Sequence, residues 1–185
     1  MISEKSEKVL KIIEKASERK YLPIIGLERG KNLAMIVRKL KPKRVLEVGS
    51  LVGYSTILMA RELESDVEIF SIEIDEDEAE TARKNIRDAE IKPKVHVIVG
   101  DASEIIPKLN GEFDLVFLDE NKYEYLHHLQ LIEDKLHKGS TVIADNAGIL
   151  AYSMSNYLNY VRKSGKYESD YISIGNDGLE VSTKL

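Results

Sequence analysis

The segment Val45–Thr56 constrains the fold of this chain more than any other part of the sequence. An apolar run leads into Gly49 and Gly53, and apolar residues then recur at helical spacing. Glycine is favoured where the backbone needs a positive φ, or where a ligand must approach without a Cβ in the way. The segment therefore predicts a buried strand, a tight turn and a helix N-terminus, which together present backbone N–H groups to a nucleotide. It matches neither the G-x-G-x-x-G fingerprint nor a P-loop.

A second predicted strand, 68–74, carries an acidic residue near its end. Glu73 stands 24 residues after Gly49. In nucleotide-binding sheets a carboxylate at that place accepts hydrogen bonds from ribose hydroxyls. Asp75 is instead expected to cap the following helix, whose first turn is acidic. Glu73 would suit NAD equally well, so a nucleotide-linked oxidoreductase stays open, although the glycine pattern opposes it.

Composition limits the classes of protein to which the chain can belong. Its 185 residues, 43% hydrophobic and 32% charged, predict one globular domain over 1–185. The absence of cysteine excludes disulfides, thiolate metal sites and a cysteine nucleophile. The net charge of -5 argues against a large phosphate-binding face. No apolar run approaches the roughly 18–20 residues of a membrane span, and no signal peptide is recognised, so we expect a cytoplasmic protein with no membrane partner.

Predicted strands and helices alternate along the chain. Helices are expected at about 3–20, 31–40, 57–63, 76–89, 125–136 and 154–163, with strands at 44–48, 68–74, 95–99, 115–118 and 140–144. Gly139 is expected to follow the C-terminus of the helix 125–136. Two last strands, 167–174 and 179–183, flank a turn at Gly175–Gly178. This alternation predicts an α/β fold: a mostly parallel seven-stranded sheet, an antiparallel C-terminal hairpin, and helices on both faces.

Ligands in such sheets bind beyond the carboxyl ends of the strands. Asp119 follows the fourth predicted strand, and Asp145 and Asn146 follow the fifth. Their side chains offer hard oxygen ligands of the kind that Mg²⁺ or Ca²⁺ prefers. Each could instead form an Asx-turn or cap a helix. The remaining residues expected at this edge are Gly49, Glu73, Gly100 and Asp101.

These motifs together carry a resemblance that runs from about residue 22 to the C-terminus. The chain resembles small class I S-adenosylmethionine-dependent O-methyltransferases, the group that includes catechol O-methyltransferase and the caffeoyl-coenzyme A O-methyltransferases. The segments that carry it are Leu46–Ser55, Ile72–Ile74, Gly100–Leu109, Phe113–Lys122, Ala144–Asn146 and Asp177–Glu180. The resemblance implies a Rossmann-like fold and methyl transfer to a hydroxyl oxygen, with residues 1–40 as N-terminal helices covering the site.

The resemblance also implies roles for single residues. Glu73 would hold the ribose hydroxyls, and Ile74 would pack against the adenine. Lys122 matches the lysine that takes the proton from the acceptor hydroxyl. Asp119, Asp145 and Asn146 match the ligands of Mg²⁺ or another hard divalent cation. The full set of implied S-adenosylmethionine-binding residues is Ile25, Gly49, Ser50, Leu51, Gly53, Ser55, Glu73, Ile74, Asp101, Ala102, Ser103 and Asp119.

The chain departs from the family pattern around the acceptor. It has no tryptophan, and Asn121 stands where one is expected. The run Ala147–Leu150 lacks the proline that usually follows the Asp-Asn pair, and Tyr171 stands near the place of a late glutamate. We therefore expect the chemistry to be kept and the pocket to be changed. The predicted acceptor is a small catechol-like molecule or another molecule with vicinal oxygens.

Other interpretations stay open. A related branch methylates a hydroxylated uridine in transfer RNA, and a tail with five tyrosines and Arg162, Lys163 and Lys166 could bind RNA, although the acidic balance opposes this. A non-catalytic S-adenosylmethionine-binding module would need neither Lys122 nor the metal ligands. His127 and His128 are expected to be solvated or capping. Dimerisation is common in the family, and the first helix is a candidate surface for it.

Overall fold

Seven strands form one sheet in the computed structural model, which describes residues 4–19 and 21–185. Their order across the sheet is β3-β2-β1-β4-β5-β7-β6. The first five are parallel, whereas β7 runs antiparallel to β5 and to β6. The predicted fold class is thereby confirmed. The strands are β1 (Arg44–Val48), β2 (Glu68–Glu73), β3 (Lys94–Val99), β4 (Phe113–Leu118), β5 (Leu136–Ala144), β6 (Tyr167–Ile174) and β7 (Asp177–Lys184).

Helices cover both faces of the sheet. Residues of β1 alternate between two hydrophobic clusters, with Val45 in one and Leu46 and Val48 in the other, as the period of a strand requires. The first cluster includes residues of α1 to α4, and the second includes residues of α5 to α7. The helices are α1 (Glu4–Arg19), α2 (Leu27–Leu40), α3 (Tyr54–Ala60), α4 (Glu76–Ala89), α5 (Ala102–Ile105), α6 (Tyr125–Ile132) and α7 (Ser155–Lys163).

The predicted boundary between α6 and β5 was wrong. The α-helix ends at Ile132, a short 3-10 turn follows, and the strand already begins at Leu136. Gly139 therefore lies inside β5 rather than after a helix. The pairing of β5 with β4 shifts register beside it, which marks a β-bulge. Ser140 fixes this bulge, because its hydroxyl accepts from the N–H of His137 at 3.0 Å and donates to the carbonyl of Phe113 at 2.8 Å.

Two smaller differences matter for the site. The helix α2 begins at Leu27 rather than near residue 31, so Arg29 is helical. The turn of the C-terminal hairpin is two residues long, which places Asp177 and Gly178 in β7. The expected ends of the first helix, residues 3 and 20, lie outside the described residues. Within residues 4–19 and 21–185, no helix is long and apolar enough to cross a membrane.

Candidate active site

A cavity of about 740 Å³ opens at the carboxyl ends of the five parallel strands. Most residues predicted for the site lie on its wall. Gly53 and Ser103 do not; Gly53 instead lies against Ala82, where it allows α3 to pack on α4. The predicted residues that line the cavity are Ile25, Gly49, Ser50, Leu51, Ser55, Glu73, Ile74, Asp101, Ala102, Asp119, Lys122, Asp145 and Asn146.

The glycine turn after β1 fixes the carboxylate of Glu73. The backbone N–H of Leu51 donates to Glu73 Oε2 at 2.7 Å, and that of Asp75 donates to Oε1 at 3.1 Å. Leu51 has a φ of 48°, a left-handed conformation uncommon outside glycine, and this hydrogen bond helps to hold it. The hydroxyl of Ser50 is buried and has no hydrogen-bond partner among the residues described. A fixed carboxylate and an unpaired hydroxyl fit a wall that a polar ligand completes.

A buried glutamate that the sequence did not single out lies beneath the turn. Glu47 accepts hydrogen bonds from the hydroxyls of Ser55 at 2.5 Å, Thr56 at 2.5 Å and Ser71 at 2.6 Å. Burial raises the pKa of Glu47, because a low-dielectric interior disfavours its charged form. The hydroxyl hydrogen of Ser55 is thus directed into the protein, although Ser55 lines the cavity.

Lys122 is held between two oxygen atoms at the end of β4. Its Nζ donates to Asp119 Oδ1 at 2.9 Å and to the hydroxyl of Tyr125 at 2.8 Å. Tyr125 is fully buried and donates in turn to the carbonyl of Leu118 at 2.8 Å. Burial raises the pKa of Tyr125 well above its ordinary value, so this phenol stays protonated. Two acceptors therefore fix the position of the Lys122 amine.

Asp145 and Asn146 directly follow β5 and have different environments. Burial, together with the charge of Asp119, raises the pKa of Asp145 to about 7, although Arg29 and Lys122 act in the opposite direction. Asn146 has a φ of 60°, which asparagine tolerates better than most residues. Its Nδ2 donates to Asp177 Oδ2 at 2.8 Å, so its amide oxygen is the atom left for a ligand.

Arg29, from α2, lies beside the same aspartate. Its Nε is 2.8 Å from Asp145 Oδ1, and its Nη1 is 2.6 Å from Asp177 Oδ2. The Nε–H bond does not point at the Asp145 oxygen, however, so the two groups form an ion pair without a hydrogen bond. Asp145 Oδ1 is buried and accepts no hydrogen bond from the part of the chain that the structure describes.

The donor set at the ends of β4 and β5 fits a hard divalent cation. It comprises the carboxylates of Asp119 and Asp145 and the amide oxygen of Asn146, all lining one cavity. Ligands of this type suit Mg²⁺. The buried Asp145 Oδ1, which has no hydrogen-bond donor, and the repulsion between two neighbouring carboxylates are both relieved by a cation.

His128 was expected to be solvated or capping, and this was wrong. It is 2% exposed and lines the cavity. Its Nδ1 contacts Glu120 in a short hydrogen bond, and its Nε2 lies 3.1 Å from the Ser103 hydroxyl. Burial acts to lower the pKa of His128, but the hydrogen bond and charge of Glu120 outweigh it and raise that pKa. The side chains of Glu120, Glu124 and His128 offer ligand atoms within 4.8 Å of one another, and all three line the same cavity as the predicted metal ligands.

The tyrosines considered for RNA binding are largely used in packing. Tyr157 and Tyr167 are buried, and Tyr160 donates to Glu133 at 2.7 Å. Tyr152 and Tyr171 are the two of the five that are exposed. The argument for an RNA-binding surface, which rested on these tyrosines, is therefore weakened.

Solved structures similar to this chain include O-methyltransferases. An inferred O-methyltransferase from Klebsiella pneumoniae superimposes with a TM-score of 0.86 at 27% identity, covering 95% of this chain and 89% of that one. The O-methyltransferase TomG from Streptomyces achromogenes, solved in complex with SAM, gives 0.85 at 24% identity over 96% of this chain and 89% of that one. At 24% identity the similarity shows the fold alone. Fold and cavity define a Rossmann-like methyltransferase.

Sequence comparison narrows this class. The family model described as O-methyltransferase matches residues 1–160. Catechol O-methyltransferase B of Danio rerio is 36% identical over 180 residues, which cover 90% of this chain and 67% of that protein. The chain belongs to the O-methyltransferase family. The predicted enzyme class, an S-adenosylmethionine-dependent O-methyltransferase, is confirmed by these relationships.

Proposed function

We propose that the chain transfers a methyl group from S-adenosylmethionine to a hydroxyl oxygen of a small acceptor with vicinal oxygens, such as a catechol, and that the reaction depends on a divalent cation. One observation carries the proposal. The residues proposed for the cofactor and those proposed for the metal and the proton transfer share the wall of one cavity. The relationship to a catechol O-methyltransferase agrees with this choice of acceptor.

Glu73 and the glycine turn are the proposed cofactor site. The two oxygens of Glu73 are fixed by backbone amides at the end of β2, and each oxygen keeps a lone pair for a ribose hydroxyl. The free hydroxyl of Ser50 is available to the methionine part. Ile74 is exposed beside the cavity and would pack on the adenine, with Ala102 at its edge. Ile25, which is buried, would lie over the cofactor.

Asp119, Asp145 and Asn146 would hold the cation. When bound there, a divalent cation lowers the pKa of a coordinated hydroxyl and fixes its position. Lys122 would accept the acceptor's proton, since it lies beside Asp119 on the same wall. It must first release a proton, and its contacts with Asp119 and Tyr125 keep the amine aimed while it does so. Holding acceptor and methyl donor in line can supply roughly 7–11 kcal/mol of the barrier.

The residues at the mouth of the cavity favour an acceptor that has a flat apolar ring. Tyr21 is 95% exposed there, and Leu150 is partly exposed. Tyr21 is almost uncovered and Leu150 is 36% exposed, so both can take up apolar surface from an acceptor ring. No tryptophan is available for this purpose.

The test is transfer of labelled methyl from S-adenosylmethionine to catechol, with Mg²⁺ and then with EDTA. We expect transfer that EDTA abolishes. Lys122→Met should lower kcat by at least about 100-fold, as loss of a proton acceptor does, and leave the Kd for S-adenosylmethionine unchanged. Lys108→Met, at an exposed lysine, is the matched control and should behave as the wild type.

Two results would contradict the proposal. Transfer that is insensitive to EDTA and to Asp145→Ala would remove the metal from the reaction. Binding of S-adenosylmethionine without transfer to any catechol would remove the acceptor class. Transfer RNA with a hydroxylated uridine would then be the next acceptor to assay.

A further inference from the structure

Arg29 is the positive charge closest to Asp145 in the proposed metal site. Its guanidinium approaches a different carboxylate with each of two nitrogens, Asp145 through Nε and Asp177 through Nη1. The side chain of Arg29 is 20% exposed, whereas those of Asp145 and Asp177 are almost fully buried. The contact therefore lies in a partly dehydrated environment, where charges interact more strongly than on the surface.

The charges around this point are nearly balanced without a metal. Asp119 is paired with Lys122 at 2.9 Å, and Asp145 and Asp177 share Arg29. Asp177 also accepts from Asn146 and from the backbone N–H groups of Gly148 and Ile149, so its place is fixed independently of Arg29. Arg29 is thus the group that compensates Asp145.

A divalent cation ligated by Asp145 would lie within a few ångströms of this guanidinium. Two positive charges would then share one carboxylate, and their repulsion opposes metal binding. The second contact, to Asp177, gives Arg29 a partner that it keeps when Asp145 turns to a metal. The two charges can therefore coexist, at a cost in affinity.

We propose that Arg29 is a positioning residue that competes internally with the divalent cation for Asp145. It holds the site together without metal and weakens the binding of metal, so that the α2 segment carrying Arg29 is coupled to occupancy of the site. This inference rests on the proposed metal site at Asp119, Asp145 and Asn146.

The test is titration of Mn²⁺ into metal-free protein at pH 8, with the concentration of free Mn²⁺ measured by electron paramagnetic resonance. Arg29→Gln should bind Mn²⁺ at least about tenfold more tightly than the wild type. Arg29→Lys, which keeps a positive charge, should stay closer to the wild type. Arg38→Gln is the matched control, because Arg38 is an exposed arginine of the same helix that pairs with Glu62. It changes the net charge equally and should leave the Kd for Mn²⁺ unchanged.

A second measurement covers any loss of stability in the variant. Because Arg29→Gln leaves Asp145 and Asp177 without their cation, its metal-free form should have a lower Tm. At the same Mn²⁺ concentration, the Tm of Arg29→Gln should then rise by more than that of the wild type, since a ligand stabilises the folded state more when its Kd is lower. A purely structural role for Arg29 would lower the Tm with and without metal by the same amount.

The outcomes separate the two proposals. If the wild type binds Mn²⁺, Arg29→Gln binds it no more tightly, and Asp145→Asn does not bind it, the role of Arg29 is overturned. The metal site is then retained. Failure of both the wild type and Arg29→Gln to bind Mn²⁺ overturns the metal site and, with it, the role of Arg29.

Discussion

Gly49 lies directly against the backbone carbonyl of Asp119, so closely that a Cβ added to Gly49 would overlap the carbonyl oxygen. This approach joins the ends of β1 and β4, which are neighbours in the sheet. It brings the glycine turn of the proposed cofactor site next to the segment that carries Asp119 and Lys122. If the glycine turn binds the methyl donor and Asp119 helps to hold the acceptor, as proposed, the spacing between donor and acceptor depends on a glycine.

Gly49→Ala should impair folding and cofactor binding together. The residue has a φ of 93°, which strains any side chain, and the new methyl group would overlap Asp119. We expect a loss of more than about 2 kcal/mol in the free energy of unfolding, measured by urea denaturation, and weaker binding of S-adenosylmethionine. Gly139→Ala is the control, since Gly139 has a φ of 92° with open space around it. If the free energy of unfolding falls equally in the two variants, the close contact with Asp119 does not contribute to the destabilisation.

Asp177→Asn should destabilise the protein and disturb Asn146. Burial acts to raise the pKa of Asp177, but hydrogen bonds from Asn146 and from backbone N–H groups outweigh it and lower that pKa. The stabilisation is therefore full above the ordinary pKa of 3.8 and is lost as the pH falls through the lower folded value. We expect a loss of about 1–3 kcal/mol at pH 7 that shrinks in acid, measured by urea denaturation between pH 3 and 7. Asp170→Asn, at an exposed position of β6, should show neither effect.

Glu47→Gln should change the pH dependence of stability. Burial raises the pKa of Glu47, so the folded protein binds a proton that the unfolded chain releases above about pH 4.5. Wild-type stability therefore falls as the pH rises from that value toward the raised folded pKa. The variant keeps the size of the side chain and has no ionisable group, so the stability of Glu47→Gln relative to the wild type should rise with pH. A constant difference across pH 4 to 8 would mean that Glu47 titrates normally.

His137→Gln should destabilise the β5 bulge below neutral pH. Two hydrogen bonds raise the pKa of His137, the larger effect coming from the carbonyl of Lys138 and the smaller from Asp114. Both ring nitrogens donate when the imidazole is charged. This stabilisation is full below the ordinary pKa of 6.5 and is lost as the pH rises through the folded value. The pair is partly exposed, so we expect about 0.5 kcal/mol or less. His127→Gln, at an exposed histidine, is the control, and denaturation at pH 5.5 and 8.5 makes the comparison.

Much of the fold follows from short-range patterns. The strand Arg44–Val48 and the helix Glu76–Ala89 begin and end where the sequence predicts, because apolar periodicity, Pro42 and the capping Asp75 all act locally. The predicted boundary between α6 and β5 was wrong because it depends on a contact between residues far apart in the sequence. The bulge there depends on the contact of Ser140 with the carbonyl of Phe113, 27 positions earlier, and no local pattern reports such a contact.

The residues of the candidate site also fall into those that the sequence could predict and those that it could not. Asp119, Asp145 and Asn146 were predictable because the parallel strands that they follow end at one edge of the sheet. Arg29, Asp177 and His128 were not. Arg29 and Asp177 meet across 148 positions, and His128 makes its hydrogen bonds with Glu120 and Ser103, which lie 8 and 25 positions earlier in the chain. Side-chain pairing between distant segments has no signature in spacing or composition.

The contact between Arg29 and Asp177 also has a consequence for the growing polypeptide. During synthesis, β1 and β4 can pair and form the glycine turn while the C-terminal hairpin is still inside the ribosome. Asp145 would at that stage have Arg29 beside it without Asp177, and Asn146 would have no fixed orientation. The constellation at the end of β5 is completed only when β7 emerges and pairs with β5. A nascent chain should therefore form the wall proposed for the cofactor before it fixes the arrangement of the residues proposed as metal ligands.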